Sequence, residues 1–270
     1  MSVAGGSQMM RAARLLGRGR LEVQEVPVPQ VADGQVLVRT RLASICGSDL
    51  KSVYSELGPE EFPCRPGFPG HEGVGDVLES RSPEFAQGDV VLTVPDRQWK
   101  ATFADYQVVP ARSLVPLPQD GEAGVLIMAQ QLGTVLFALE RFWPEAEPPG
   151  ESAVVIGAGS AGLYFTRLLK RRGFQRVIVA DPDPARLELA RQLGADAAVP
   201  AGDESVVETT MDLTGGSGAD LAVEAAGLDA PAPRRSRPPA STGGWASSDS
   251  PNGMGTPPSR WSSSTAGARR

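Results

Sequence analysis

The spacing of hydrophobic residues differs between the two halves of the chain, and the first half has the spacing of β-strands. In "GQVLVRTRLAS", Val36, Val38 and Leu42 alternate with Arg39 and Arg41, which is the period of a half-buried strand. Short apolar runs at "DVVLTVP" and "ADYQVVP" follow, each bounded by turn-forming residues. The first half therefore predicts a compact, barrel-like β domain.

The spacing changes near residue 122. "EAGVLIMAQQLGTVLFALERF" is long and apolar and ends before Pro144, which predicts a helix interrupted at Gly133. Strand-like runs ("SAVVIG", "RVIVAD", "AAV", "DLAVEAAG") then alternate with helix-like runs ("SAGLYFTRLLKRRG", "DPARLELARQLG", "ESVVETTMDLTGG"). This alternation predicts the α/β fold class, with a parallel, doubly wound sheet.

Composition narrows the classes of function. A chain of 270 residues, 41% of them hydrophobic, can bury one large core or two moderate cores. Two cysteines are too few for a disulfide framework, and a net charge of -6 gives no reason to expect nucleic acid as a partner. No run approaches the roughly 18 apolar residues of a membrane span, and the N-terminus lacks a signal-peptide pattern. We expect a soluble, cytoplasmic protein of two domains.

The C-terminal segment has a different composition. From Pro231 to Arg270 the chain has six arginines and one acidic residue, and it contains no Leu, Ile, Val, Phe or Tyr. Such a segment buries too little apolar surface to offset its chain entropy. We predict that residues 229–270 are disordered.

A glycine-rich loop lies where the alternation begins. Gly157, Gly159 and Gly162 form G-x-G-x-x-G directly after a strand and open a helix. In that context the first glycine allows a tight turn, the second lets a pyrophosphate approach the backbone, and the third lets the helix pack on the strand. The N–H groups of Ser160 and Ala161, at the start of the helix, would face the phosphates.

An acidic residue ends the next strand. Asp181 lies 19 residues after Gly162, where a carboxylate would bind the ribose hydroxyls of NAD and repel the extra phosphate of NADP. The alternative is that Asp181 only starts a turn and that Asp183 caps the following helix. We predict nucleotide binding, with NAD favoured over NADP.

A cysteine and the sole histidine form the second chemical signal. Cys46 lies in "ICGSD" and His71 in "PGHEGVG", 25 positions apart. Thiolate and imidazole are zinc ligands. The alternative is a buried thiol and a loop histidine without a metal.

With "CGSD", "GHEGVG" and "GAGSAG" in this order, the chain resembles the zinc-containing medium-chain dehydrogenase/reductase superfamily, which includes alcohol, polyol and threonine dehydrogenases. The resemblance implies a GroES-like β-barrel catalytic domain with a connecting helix over residues 10–147, after an extension over 1–9. It implies an incomplete Rossmann domain over 148–228, and an active site in the cleft between the two domains. Full-length relatives form oligomers.

The resemblance also implies roles for single residues. Cys46 and His71 would be ligands of a catalytic zinc, and Ser48 would be the hydroxyl that receives the substrate proton. Relatives of the polyol type supply a glutamate as the third ligand, where our alignment places Gln130. Either Gln130 borders the site, or Glu72 is the anionic ligand. We favour Glu72.

Two features depart from many relatives. The four-cysteine lobe that binds a structural zinc is absent, since "VPDRQWKATFADY" occupies its place without a cysteine. We therefore expect one zinc and interpret Cys64 as a bystander. The second feature is the tail. Codons can be chosen for residues 238–250 that, read two nucleotides later, encode an apolar strand that begins with glycine. This favours an out-of-frame tail over an evolved linker.

These features predict zinc-dependent, NAD-linked oxidation of a small-molecule secondary alcohol or polyol to a ketone. One alternative is a zinc-free, NADPH-linked reductase of the same superfamily. The other is a truncated, non-catalytic fragment that binds nucleotide weakly or not at all.

Overall fold

The computed structural model describes residues 8–56, 58–201, 203–227 and 244–247, and only the backbone of residues 97, 203–205 and 244–247. Most of the predicted extension (1–9) and tail (229–270) lies outside these ranges. The elements of the first half are β1 (Met9–Gly17), β2 (Arg20–Pro27), β3 (Gln35–Ser44), α1 (Gly47–Tyr54), β4 (Glu72–Ser80), β5 (Val90–Thr93), β6 (Tyr106–Pro110) and β7 (Leu114–Pro116).

The described residues of the first half form a hairpin and an antiparallel sheet. Strands β1 and β2 pair with each other, and the sheet has the order β6-β3-β4-β5-β7. Central strand β3 pairs with β4 on one side and with β6 on the other. The predicted β domain is confirmed, although the sequence pattern did not reveal the hairpin or helix α1.

The alternation predicted for β3 holds over its first half. Val36 and Val38 are fully buried in a core that they share with Val77, Val91 and Val109. The register of β3 against β4 then shifts between Thr40 and Leu42, and a shift of this kind turns the following side chains away from the expected face. Leu42 is consequently 38% exposed, contrary to the prediction that it lies on the buried face.

Two consecutive helices connect the halves of the molecule, α2 (Ala123–Leu126) and α3 (Met128–Phe142). The predicted helix is therefore present, but its break falls at Ile127 instead of Gly133. Ile127 packs in a core cluster of the first sheet, whereas Val135 and Leu139 pack in the core of the second half.

Helices α2 and α3 together are long and apolar enough, by length and composition, to cross a membrane. Our expectation that no segment reaches this limit was therefore wrong. Length and composition alone are weak evidence for a membrane span. Only 17% of this segment is buried, and its buried residues Ile127, Val135 and Leu139 pack in two protein cores.

The second half alternates strands and helices as predicted. Its elements are β8 (Ser152–Ile156), α4 (Ser160–Arg171), β9 (Arg176–Asp181), α5 (Pro184–Gln192), β10 (Ala197–Pro200), α6 (Asp203–Leu213), β11 (Leu221–Glu224) and β12 (Gly244–Ser247). Among the described residues, the strands pair in parallel in the order β10-β9-β8-β11-β12. This is the predicted α/β, doubly wound architecture, with a core that includes Val155, Phe165, Leu169 and Val223.

Strand β12 departs from the predicted disorder of residues 229–270. Its backbone pairs in parallel with β11, from Leu221 opposite Gly244 to Glu224 opposite Ser247. Pairing of this kind requires only backbone N–H and C=O groups, so the lack of aliphatic residues does not prevent it. The remainder of the tail lies outside the described residues.

Candidate functional site

Cys46 lies where strand β3 passes into helix α1. It is the residue before the first helical turn, with extended backbone angles (φ -91°, ψ 154°). Its backbone N–H donates a hydrogen bond to Asp49 Oδ2 at 2.9 Å, and its carbonyl accepts one from the N–H of Asp49 at 3.0 Å. These two bonds fix the backbone of Cys46 at the N-terminus of α1.

His71 immediately precedes strand β4, and Glu72 is the first residue of that strand, whose first residues pair with the last residues of β3. This pairing brings them to Cys46. The ligand atoms of Cys46, His71 and Glu72 all lie within 4.8 Å of one another. Zinc binds thiolate, imidazole and carboxylate at about 2.0–2.3 Å, so this compact donor set fits one zinc ion with small side-chain movements.

The imidazole of His71 is held from both sides. Its Nδ1 lies 2.9 Å from Asp49 Oδ1, and its Nε2 lies 3.4 Å from Ser48 Oγ. Asp49 is buried, with 2% of its surface exposed. A carboxylate on one ring nitrogen orients the other nitrogen toward a metal, so Nε2 is the available donor.

Electrostatics at His71 follow from the same contacts. Burial lowers the pKa of the imidazole, but hydrogen bonds to Asp49 and Cys46 raise it, and the net result is a pKa of about 9. The charge of Lys100 acts in the opposite direction from Asp49. The carboxylate and thiol around His71 thus favour positive charge here, whether it is carried by a proton or by a metal ion.

Sequence reasoning missed Asp49, although it is the last letter of "CGSD". A signal was available, because an acidic residue three positions after a helix N-cap is typical of a capping interaction with the N-cap backbone. That position indicates a cap, but it does not reveal that the second carboxylate oxygen reaches His71. No sequence pattern indicated that Lys100 would influence the charge of His71.

The remaining residues to consider are Gln130, the alternative third ligand, and Cys64, the predicted bystander. Gln130 is half-buried in α3, where its backbone carbonyl accepts a hydrogen bond from Thr134 Oγ1 at 3.1 Å, and its role as a ligand stays a prediction. Both cysteines lie in the described ranges and are free thiols. Cys64 donates from Sγ to the carbonyl of Glu61 at 3.6 Å, and burial raises the pKa of its thiol.

The glycine loop between β8 and α4 has the shape that a dinucleotide needs. Gly157 has φ +96°, and a Cβ there would lie 2.6 Å from the backbone nitrogen of Ala226. At Gly162 a Cβ would lie 1.8 Å from the carbonyl oxygen of Gly157. Apart from the two chain neighbours, no described atom comes within 4 Å of a Cβ built on Gly159, so the backbone at the N-cap of α4 is open to a phosphate group.

Asp181 ends β9 next to this loop and is 3% exposed. Its Oδ2 accepts a hydrogen bond from the N–H of Ala158 at 2.7 Å, and its Oδ1 accepts one from the N–H of Asp183 at 2.9 Å. Asp183 caps α5 through the N–H of Ala185, as the alternative interpretation predicted. Asp181 therefore braces the glycine loop and also starts the turn, and its contact with ribose stays a prediction.

Comparison with known proteins identifies the family. Residues 32–119 match the alcohol dehydrogenase GroES-like domain, and residues 161–234 match the zinc-binding dehydrogenase domain. The erythritol/L-threitol dehydrogenase of Mycolicibacterium smegmatis is 30% identical over 265 residues, which cover 84% of this chain and 72% of that protein. The chain belongs to the zinc-containing medium-chain dehydrogenase superfamily.

Other members of the superfamily extend the likeness. The L-threonine 3-dehydrogenase of Bacillus velezensis is 29% identical over 231 residues, covering 76% of this chain and 66% of that protein. The solved structure of 2R,3R-butanediol dehydrogenase from Bacillus subtilis has a TM-score of 0.68 at 25% identity, covering 81% of this chain and 71% of the other. The chain spans about two thirds of the length of the curated relatives it matches.

Proposed function

We propose that this protein oxidises a small secondary alcohol or polyol to a ketone, with zinc and NAD as cofactors. The observation that carries the proposal is the convergence of Cys46, His71 and Glu72 within 4.8 Å, in a chain that also has an intact glycine loop. The proposal is supported by the relatives named as dehydrogenases of threonine and of erythritol or threitol.

Cys46, His71 and Glu72 would hold the metal. Thiolate, neutral imidazole and carboxylate together carry two negative charges, which balance Zn²⁺. Glu72 is preferred over Gln130 because its carboxylate lies in the cluster and an anionic oxygen binds zinc more strongly than an amide oxygen. When bound, the zinc would polarise the substrate hydroxyl and the nicotinamide would accept the hydride.

Ser48 would receive the substrate proton on its Oγ. The first turn of α1 holds this hydroxyl 3.4 Å from His71 Nε2, so a substrate oxygen near the metal ligands would lie within its reach. The chain has one histidine, and that residue is assigned to the metal. A proton leaving Ser48 would therefore pass to water or to the ribose of the cofactor.

The nucleotide would lie across the loop between β8 and α4. Gly157, Gly159 and Gly162 shape the loop, and the N–H groups of Ser160 and Ala161 would bind phosphate oxygens at the N-terminus of α4. Asp181 would accept hydrogen bonds from the ribose hydroxyls, which favours NAD over NADP because the carboxylate repels a 2′-phosphate.

We assign residues 10–147 to the catalytic domain with its connecting helix and residues 148–228 to the NAD-binding domain. The extension over 1–9 and the tail over 229–270 are given no role. A cytoplasmic location is consistent with relatives of this kind, and we expect neither nucleic acid nor a membrane as a partner.

Three measurements on the purified full chain test the proposal. Metal analysis should give about one zinc per chain, titration should show tighter binding of NAD than of NADP, and a panel of secondary alcohols and polyols should reduce NAD. Preference for NADPH without zinc would favour the zinc-free reductase instead. Weak or absent nucleotide binding, together with no turnover of any panel member, would favour a non-catalytic fragment.

A further inference from the structure

The third metal ligand has a hydrogen-bonding partner that none of the sequence motifs includes. Ser44 is the last residue of β3 and lies directly opposite Glu72, the first residue of β4, in the antiparallel register. Its hydroxyl donates a hydrogen bond to Glu72 Oε2. The contact follows from the strand pairing, because directly opposed residues have Cβ atoms about 5 Å apart.

Ser44 lies on the same side of the chain as the metal ligands. Successive residues of an extended strand point to opposite faces, and the chain stays extended through Cys46. Ile45 is 74% exposed, whereas Ser44 and Cys46 are both half-buried. The serine hydroxyl and the cysteine thiol therefore project from one side, toward Glu72.

The two carboxylate oxygens of Glu72 are in different surroundings. Oε2 accepts the hydrogen bond from Ser44, while Oε1 lies 4.0 Å from His71 Nε2. The Glu72 side chain is 9% exposed, so water does not readily replace the serine. A single rotamer is thus stabilised, with one oxygen restrained and the other facing the metal cluster.

We propose that Ser44 is a positioning residue that orients Glu72 to bind the metal through Oε1. The inference rests on the proposed metal site. The hydrogen bond from Ser44 on β3 to Glu72 on β4 would hold the Glu72 carboxylate in place as the third metal ligand. Gln130 would then not be needed as a ligand. Partners of metal ligands typically change metal affinity by about 10- to 100-fold when they are removed.

The decisive comparison is Ser44→Thr against Ser44→Val, because threonine and valine differ only by a hydroxyl in place of a methyl group. Zinc affinity of the full chain is measured by competition with a chromophoric chelator, and the ligand geometry by the absorption spectrum after Co²⁺ loading. We expect Ser44→Val to bind zinc about 10-fold more weakly and to shift the Co²⁺ bands. Ser44→Thr should stay within about threefold of the parent.

Two further variants exclude a general structural effect. Ser80→Ala removes a hydroxyl from the other end of the same strand pair and should leave zinc affinity unchanged. In a Glu72→Ala background, Ser44→Val should cause no additional loss, since a residue that acts through Glu72 has nothing left to orient. Equal zinc affinities for Ser44→Thr and Ser44→Val would overturn the inference. So would a loss of zinc affinity on Ser44→Val that is as large in the Glu72→Ala background as in the parent.

The result is separable from a failure of the proposed function. A parent chain that binds no zinc contradicts the metal site itself. A parent that binds zinc with the same affinity and Co²⁺ spectrum as Ser44→Val leaves the metal site standing and removes Ser44 from it.

Discussion

The metal cluster and the glycine loop depend on different parts of the chain: the cluster on side chains and the loop on the backbone. Cys46, His71 and Glu72 come from segments far apart in sequence, and contacts between polar side chains hold them together. At the loop, the close contacts of Gly157 and Gly162 are made by backbone atoms around positions without a side chain. The cluster should therefore fail when a polar atom is removed, and the loop should fail when an atom is added.

The largest effect is expected from removing the thiolate. Cys46→Ser should abolish both zinc binding and turnover, because a serine hydroxyl is not ionised at neutral pH and is a poor zinc ligand. Metal analysis and the alcohol assay measure the two losses. Cys64→Ser is the matched control and should retain about one zinc per chain; equal loss in both variants would contradict the assignment.

Adding one methyl group should break the loop. Gly162→Ala would place a Cβ 1.8 Å from the carbonyl oxygen of Gly157, so α4 must move away from β8. We expect the free energy of unfolding to fall by about 2 kcal/mol and NAD binding to be lost, with zinc binding retained. Urea unfolding and fluorescence titration with NAD measure these effects.

Gly133→Ala is the control for that variant. This position is inside helix α3, and apart from its chain neighbours and the helix's own backbone no described atom lies within 4 Å of a Cβ built there. Alanine there should stabilise the protein by up to about 1 kcal/mol through helix propensity. Should Gly162→Ala behave in the same way, the loop would not have the tight geometry described above.

Removing the hydroxyl of Ser48 separates proton transfer from metal binding. Ser48→Ala should lower alcohol oxidation by roughly 100-fold, the usual scale for a lost acid–base step, while the zinc content stays constant. Ser52→Ala, one turn further along α1, removes a hydroxyl that donates to the Ser48 carbonyl and should keep nearly full turnover. A fully active Ser48→Ala variant would remove this residue from the mechanism.

The last comparison concerns the choice of nucleotide. Asp181→Ser should weaken NAD binding and improve NADP binding, by about 1.5 to 3 kcal/mol for a hydrogen bond to a charged group. Parallel titrations with the two nucleotides measure the change in preference. Asp183→Ser keeps the helix cap of α5 and should leave the preference unaltered. A parent protein that already prefers NADP would show that Asp181 only braces the loop.

The parts of the molecule that sequence predicted well are those with local, periodic signals. Strands β8 to β11 and helices α4 to α6 were recognised because apolar spacing and glycine ends recur in each unit. The glycine loop was identified for the same reason. The exposed position of Leu42 was not predicted, because a shift in strand register depends on the partner strand.

The metal cluster was predicted in part. Cys46, His71 and Glu72 were named through motif resemblance; the fold brings them within 4.8 Å of one another, and their role as metal ligands stays a prediction. Asp49 and Ser44 were given no role, since each acts through a residue that only the fold brings near: Asp49 reaches His71, and Ser44 faces Glu72. Single-chain patterns do not encode such pairings when the partners lie more than twenty positions apart.

Helix α3 has a consequence for cooperativity. Ile127, just before it, belongs to a core cluster of the first sheet, and Val135 and Leu139 belong to the core of the second. If either sheet unfolded, this helical segment would lose its packing against that sheet, and its contacts with the other core would be weakened as well. The free energy of opening one sheet therefore includes part of the cost of disrupting the core of the other. We therefore expect the two halves to melt together in a single transition, with the helix as the element that couples them.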